Sequence, residues 1–459
     1  MKIAVLCGSP KGEYSITLQH VRYLARKLPE HEFQLFYVAH DIKKLEKNRE
    51  AFDQVIQSVR EADAVIWAFG LWVLVVSAQY MRFMELITER GATSAFDGKY
   101  TAALSTSIHY YDHTAHNFVQ GVCDDLGMNF VDSLSLDLRD LDKPEARQQL
   151  LLFGRNFISA IENQAATTRR FQPLKFSDFE YRPGPAKPSV ESLGKKVLVL
   201  TDKYDPETNL GKMIDRFRSS FTQEVELIDL RDIDIKGACL GCMRCGYDYT
   251  CVYKDGFKEF YNKRVRAADC IVFAGEMRGR YLSSLWKTFY DRAFFWNHTP
   301  SLTGKQLAYL VSGPISQNAN LLQILEASST ARQEANHVDV LSDECGNSAE
   351  LDRALQGLAR KLIQFSVEGY QHPQNFLAVG GHKIFRDNIW GRLRIIWQAD
   401  HRHYKKTGYY DFPQQKYALR LLMGLGMLVT KIPFVRKKFY DNMLTGPRRR
   451  MSKIADTAD

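Results

Sequence analysis

Short apolar runs and longer amphipathic stretches alternate along most of the chain. Ile3-Ala4-Val5-Leu6 has the pattern of a buried strand. A Gly8-Ser9-Pro10 turn follows, then residues 17–28, where apolar positions recur at helical spacing. An apolar run at 33–38 leads through a long polar helical stretch to another at 62–68, and a fourth strand is predicted at 101–105. Short strands alternating with helices of about ten residues or more predict right-handed βαβ crossovers and a parallel sheet. The apolar run at the start is followed at once by a turn, so it reads as a strand and not as a secretory signal.

The same order then returns. Runs at 196–200, 225–230 and 268–274 repeat the pattern. Asp63, Ser77, Phe83, Glu85 and Lys99 recur as Asp269, Ser283, Phe289, Asp291 and Lys305, each 206 positions later. The second strands are offset by only about 192, so some 14 extra residues follow the second strand of the later copy. The prediction is an α/β protein with two doubly wound parallel-sheet domains, at 1–163 and 195–372. A proline-rich linker at 164–194, centred on Arg182-Pro183-Gly184-Pro185-Ala186-Lys187-Pro188, joins them, and a mainly helical basic extension covers 373–459.

Composition agrees with this division. A chain of 459 residues fits two or three domains, and 45% hydrophobic with 25% charged residues excludes wholesale disorder. No run of about 20 uncharged apolar residues is present, which excludes an ordinary spanning helix. The net charge of +9 is uneven: residues 376–459 carry 17 Lys and Arg against 6 Asp and Glu, while the rest is close to balance. An electrostatic partner is therefore to be sought at the C-terminal end.

Four of the 8 cysteines lie in the extra segment of the second copy: Cys239, Cys242, Cys245 and Cys251. Such crowding in a long chain argues for a metal centre in a reducing cytoplasm and against a disulfide framework. Three thiolates at C-x2-C-x2-C spacing, closed by a fourth six residues on, suit the four corners of a [4Fe-4S] cluster. Zinc more often takes two C-x2-C pairs across a longer loop; zinc, or no metal at all, remain the other readings. Cys7, Cys123, Cys270 and Cys345 read as core or helix residues.

Gly8-Ser9-Pro10-Lys11-Gly12, with Ser15 and Thr17 behind it, resembles the phosphate loop of NADPH-dependent FMN reductases. The cysteine segment, followed by Asp255-Gly256, resembles the compact motif of iron–sulfur flavoproteins in that superfamily. Ser283, Lys287 and Phe289-Tyr290-Asp291-Arg292 resemble the segment after the family's third strand. The resemblance spans about 1–160 and 195–370, and the last 85 or so residues have no counterpart. It implies flavodoxin-like domains, FMN as cofactor, and dimers with the flavin at the interface, so a homodimer stays open; NAD(P)H is one candidate electron donor.

Physical chemistry supports a phosphate site at the first loop. A turn from strand to helix points backbone N–H groups and the positive helix end at an anion. Ser9, Pro10, Lys11, Gly12, Ser15 and Thr17 are the candidate contacts, against the plainer reading of an ordinary βα turn. Trp72 is placed to stack on a flavin ring or to pack a domain interface. Ser105, Thr106, Ser107 and His109 would complete the site from the next loop. His109, His113 and His116 near Asp112 also form a weak candidate metal trio.

The second copy's loop, Thr201 to Asn209, has no glycine and carries three acids against one lysine. One such charge about 6 Å from a phosphate costs roughly 2–3 kcal/mol at an effective dielectric near 20. This loop is therefore not expected to hold FMN conventionally, although Arg278 or Arg280 could receive an anionic edge from across an interface.

In the extension, Leu421 to Val429 is a nine-residue apolar run too short to span a bilayer. Lys416, Arg420, Lys431 and Arg436-Lys437-Lys438 flank it, and Arg448-Arg449-Arg450 follows. Peripheral contact with the inner, anionic face of a membrane is one reading. The others are a helical extension packed on the domains, and, less favoured, RNA binding through Tyr404, Tyr409, Tyr410 and Phe412 interleaved with basic residues.

The sequence thus predicts a cytoplasmic flavin-dependent oxidoreductase with a division of labour: the first copy keeps the phosphate loop, the second the cysteines. Electrons would pass from NAD(P)H or another donor through FMN and a cluster to an acceptor, a quinone or lipid-like molecule being one candidate. No residue is assigned a catalytic role. Two other readings stay open: an electron-transfer flavoprotein relaying between proteins, and a degenerate membrane-associated scaffold.

Overall fold

The computed structural model describes residues 1–443. Residues 1–402 form one compact unit, and a second begins at His403.

The first unit contains two five-stranded sheets, all parallel. The first is built from β1 (Lys2–Cys7), β2 (Glu32–Phe36), β3 (Ala64–Gly70), β4 (Tyr100–Ser107) and β5 (Asn129–Asp137) in the order 2-1-3-4-5. The second, from β6 (Val197–Thr201), β7 (Glu226–Asp229), β8 (Cys270–Glu276), β9 (Gln306–Ser312) and β10 (Asn336–Ser342), runs 7-6-8-9-10 and repeats that topology. This is the flavodoxin-like doubly wound order, whose crevice for ligands lies beyond the carboxyl ends of the first and third strands. The registers reproduce the repeat. Gln34 opposite Ala4 corresponds to Glu226 opposite Leu198, an offset of 192, and Ala64 opposite Ile3 corresponds to Cys270 opposite Val197, an offset of 206.

Strands buried on both faces read as unbroken apolar runs. On one face of the first sheet, Ile3, Val5, Ile66 and Leu104 pack with Leu18, Val21 and Leu24 of the helix Ile16–Lys27 and with Phe153 and Phe157 of the helix Pro144–Glu162. Val197, Val199, Val272 and Leu310 do the same in the second sheet, against the helices Asn209–Arg218 and Ser348–Glu368. The opposite faces share one core that runs from Leu6, Val65 and Trp67 to Leu200, Ile271 and Phe273 without interruption.

The helices Ala78–Glu89 and Ser284–Arg292 make the join, and each caps the other. Asp291 Oδ2 accepts from Ala78 N at 2.9 Å, while Glu85 Oε1 accepts from Ser284 N and Oε2 from Ser284 Oγ, both at 2.6 Å. Ala78 and Ser284, like Glu85 and Asp291, are 206 apart, so the contact has the reciprocity of a two-fold interface inside one chain. Each carboxylate also meets the positive end of a helix. Lys287, wholly buried, pairs with Asp291 and donates to Trp72 O at 2.9 Å. Burial is the leading effect on both partners, lowering the Lys287 pKa and pushing Asp291 up to about 6.

Residues 165–189 contain no helix or strand, yet they are pinned. Asp124 accepts from Phe171 N at 2.8 Å, and buried Tyr181 donates to Asp352. Beyond the second sheet come the helices Phe376–Trp390, Gln398–Thr407, Tyr417–Val429 and Pro433–Met443. Arg448-Arg449-Arg450 lies outside the described residues.

Candidate functional site

A cavity of about 370 Å³ opens beyond the carboxyl ends of β1, β3 and β4, within the range of ligand pockets, roughly 300–1,000 Å³. Ser9, Pro10 and Lys11 line it from the β1 loop, Ser15 and Thr17 from the start of the helix Ile16–Lys27, Trp72 from the β3 loop, and Thr106 and Ser107 from the end of β4. Ser15 is the N-cap of that 12-residue helix, and its side chain makes no capping bond. Thr17 Oγ1 lies 2.7 Å from Thr106 Oγ1 and ties the helix to β4.

Three other sequence candidates lie off the cavity. Gly12 takes φ +57°, and a Cβ there would meet the His40 ring at 3.2 Å, so this glycine shapes the turn. Ser105 Oγ is 2.7 Å from His116 Nε2 within the core. Burial brings His116 down to about 4, so this ring is neutral. His109 pairs with Asp112 at 2.8 Å, which raises the histidine and holds Asp112 at about 2. His113 instead faces Gln323. The three histidines thus have three different partners, and among the described residues no three His, Cys, Asp or Glu side chains converge where one metal ion would sit.

Trp72 has two sets of neighbours. It lines the cavity, and it also packs against the second domain, 6.4 Å from the Phe294 ring and against Gly241. A Cβ on Gly241, which has φ +65°, would lie 2.5 Å from Trp72 Cη2 and 3.1 Å from Lys11 Cε. The cysteine loop is therefore seated on the phosphate loop and Trp72 of the other domain. Gln79 Nε2 donates to Cys239 O, and Asn297 Nδ2 to Cys245 O, both at 2.9 Å. Arg292 and Asp255, both buried, brace the base of the loop, and Arg292 also donates to Gly237 O at 2.8 Å.

The four thiols share one neighbourhood. Burial pushes Cys239 up to about 12, and the thiolates of Cys251 and Cys242 would add to the rise. Cys245 is likewise raised by burial, then by the other three. Burial lowers Lys11, whose ammonium is attracted by Cys239 and Cys242 in the opposite sense. Of the remaining cysteines, Cys7, Cys123 and Cys270 are in the core, and Cys345 ends the short 3-10 helix Asp343–Cys345 after β10, where it is exposed.

Sequence reading missed the rest of the wall. Met243, Phe294, Asn297, His298 and Arg332 arrive from the second domain, and Phe385, Leu393, Ile396 and Trp397 from the segment beyond it. His298 Nδ1 is 2.7 Å from Asp400 Oδ2, and this buried carboxylate also accepts from Thr299 Oγ1 at 2.9 Å. The His298 and Phe385 rings lie 4.0 Å apart. No local motif announces these residues, because each reaches the cavity only through domain packing.

The residues present fit a flavin phosphate ester. One end offers hydroxyls, a lysine and a helix N-terminus; the other is aromatic and aliphatic. Two polar atoms of lining residues, Trp72 Nε1 and Asn297 Oδ1, have no hydrogen-bond partner within the protein. The equivalent cavity of the second domain, about 330 Å³, differs in charge. Asp202, Asp205, Glu276, Asp343 and Glu344 line it against Lys175, Lys203 and Arg278, and linker residues 175–177 form one wall. Arg280 is committed elsewhere, to Asp125 and Gln172 O.

The sequence profile of the NADPH-dependent FMN reductase family matches residues 1–136 and again 195–338. No curated protein matches the chain. Among solved structures, the apo form of the NADH:FMN oxidoreductase EMOB is 14% identical, covers 35% of this chain and 89% of its own, and has a TM-score of 0.30. The flavoenzyme NAD(P)H:(acceptor) oxidoreductase FerB from Paracoccus denitrificans is 17% identical, with coverages of 35% and 97% and a TM-score of 0.28. The NAD(P)H:quinone oxidoreductase from Methanothermobacter marburgensis is 12% identical, with coverages of 39% and 99% and a TM-score of 0.31.

Proposed function

This chain belongs to the NADPH-dependent FMN reductase family, and on that premise we propose that it is an NAD(P)H oxidoreductase with one working flavin site, in its first domain, and a [4Fe-4S] cluster beside it on Cys239, Cys242, Cys245 and Cys251. The observation that carries this reading is the single cavity in which the first domain's phosphate loop meets the second domain's cysteine loop. FMN supplies hydride acceptance from a nicotinamide and delivery of electrons singly or in pairs, and a cluster supplies a one-electron site.

The chain's own residues bind and exclude. Ser9, Ser15, Thr17 and the helix N-terminus hold the phosphate, and Lys11 balances its charge. Trp72 and Phe294 flank the ring region, with Asn297 available for polar edges. Phe385, Leu393, Ile396 and Trp397 keep water out and present an apolar face, which suits a planar aromatic or quinone-like acceptor. Asp400 fixes the orientation of His298 at that face. A cluster takes one thiolate per iron, at separate corners.

Anaerobic purification followed by flavin, iron and sulfide assay tests the reading. About one FMN and four iron per chain are expected, with NAD(P)H oxidation supported by a soluble quinone. FMN without iron would remove the cluster and leave a flavin reductase. Reduction by a protein donor alone would favour an electron carrier, and absence of both groups would overturn the proposal.

A further inference from the structure

The helices Tyr417–Val429 and Pro433–Met443 carry an unusual surface. Thirteen large apolar residues between Tyr417 and Tyr440, among them Leu421, Leu425, Leu428 and Phe434, are each at least 50% exposed. Soluble chains seldom leave so many together in water. The same stretch is one-sided in charge: 416–443 contains six Lys and Arg and a single acid, Asp441. At 1.5 Å per residue the 13-residue helix is ~20 Å long, short of a bilayer's ~30 Å hydrocarbon core. Among the described residues no helix is long and apolar enough to cross a membrane.

We propose that residues 417–443 dock this protein onto an anionic phospholipid bilayer. The helix Tyr417–Val429 lies in the boundary between headgroups and acyl chains, and Lys431 and Arg436-Lys437-Lys438 rest on lipid phosphates. Both halves of the surface find a partner there, the apolar side chains in the acyl region and the cations among the phosphates. A nucleic acid would satisfy only the cations, and the aromatic rings nearby are engaged with one another: Tyr404 stacks on Tyr409 at 4.7 Å and Tyr410 on Phe412 at 5.9 Å. The inference is independent of the redox reading, because lipid binding is scored whether or not flavin is present.

Flotation of the full-length holoprotein on vesicles tests it, using phosphatidylcholine alone and an equal mixture with phosphatidylglycerol. The protein is expected to float with the mixture at low salt, to be released by added salt, and to stay behind with phosphatidylcholine. The triple variant Arg436→Gln, Lys437→Gln, Lys438→Gln is expected to weaken partitioning by about fivefold per charge, roughly a hundredfold in all. The triple variant Leu421→Gln, Leu425→Gln, Leu428→Gln is expected not to float. A thermal melt of each variant, matched to the parent, shows that 1–402 is intact. Equal flotation on both vesicle types, or none on either, overturns the proposal. So does concentration-dependent dimerisation abolished by the leucine variant, which would mean that a second copy covers the helix.

Discussion

His116 shows what a buried imidazole does to acid tolerance. It faces Ser105 Oγ and the Phe69 ring, with Asp112 exerting a weak opposite pull, and burial holds it near 4 against an ordinary 6.5. Between those values the unfolded chain binds the extra proton and the folded one does not, so stability falls as pH drops from 6.5 towards 4. The contribution is at most about 3 kcal/mol. Denaturant melts at several pH values should therefore show a steeper acid loss in the parent than in His116→Gln; parallel profiles would refute the assignment. Gly241 gives a second residue-level expectation. Gly241→Ala places a methyl on Trp72 at a backbone angle that favours glycine, and should lift the cysteine loop and weaken FMN retention by tenfold or more, read by fluorescence titration. Ser9, Lys11 and Thr17 were legible in the sequence because one turn carries them. His298 and Asp400 were not, since 102 positions separate them and only packing unites them.

The paired helices invite a test at the level of elements. Lys287→Met would leave Asp291 buried without its cation, and loss of one partner of a buried pair costs about 3–5 kcal/mol. Glu85→Gln keeps the shape of its side chain and removes charge from one cap, so a loss of only about 1 kcal/mol is expected. Equilibrium unfolding of both variants should show this order, and a larger loss for Glu85→Gln would contradict it. The spacing of 206 identified Glu85 and Asp291 as counterparts, but could not reveal that each serves the other's helix. Interaction across a pseudo-two-fold axis has no sequence period. The element pattern itself was readable, because strands buried on both faces are apolar throughout and their helices are long. The termini moved by a residue or two, as with the run at 33–38, observed as Glu32–Phe36.

At the scale of the whole molecule, the continuous core between the sheets predicts one cooperative transition for residues 1–402 in calorimetry, where two loosely tethered domains would give two. The linker leads to a companion expectation. Limited proteolysis within 165–189 should leave the halves co-eluting, because the shared core and the reciprocal caps of Asp291 on Ala78 and Glu85 on Ser284 hold them after the chain is cut. The reciprocal interface has a further consequence for how such a protein can change. In an assembly of two identical chains every substitution appears twice, so an acid that spoils one site spoils both. Joining the halves in one polypeptide breaks that constraint. Asp202 and Glu276 can accumulate in the second cavity while Ser9 and Lys11 persist in the first. One half is then free to drift towards a new task while its twin keeps the inherited one.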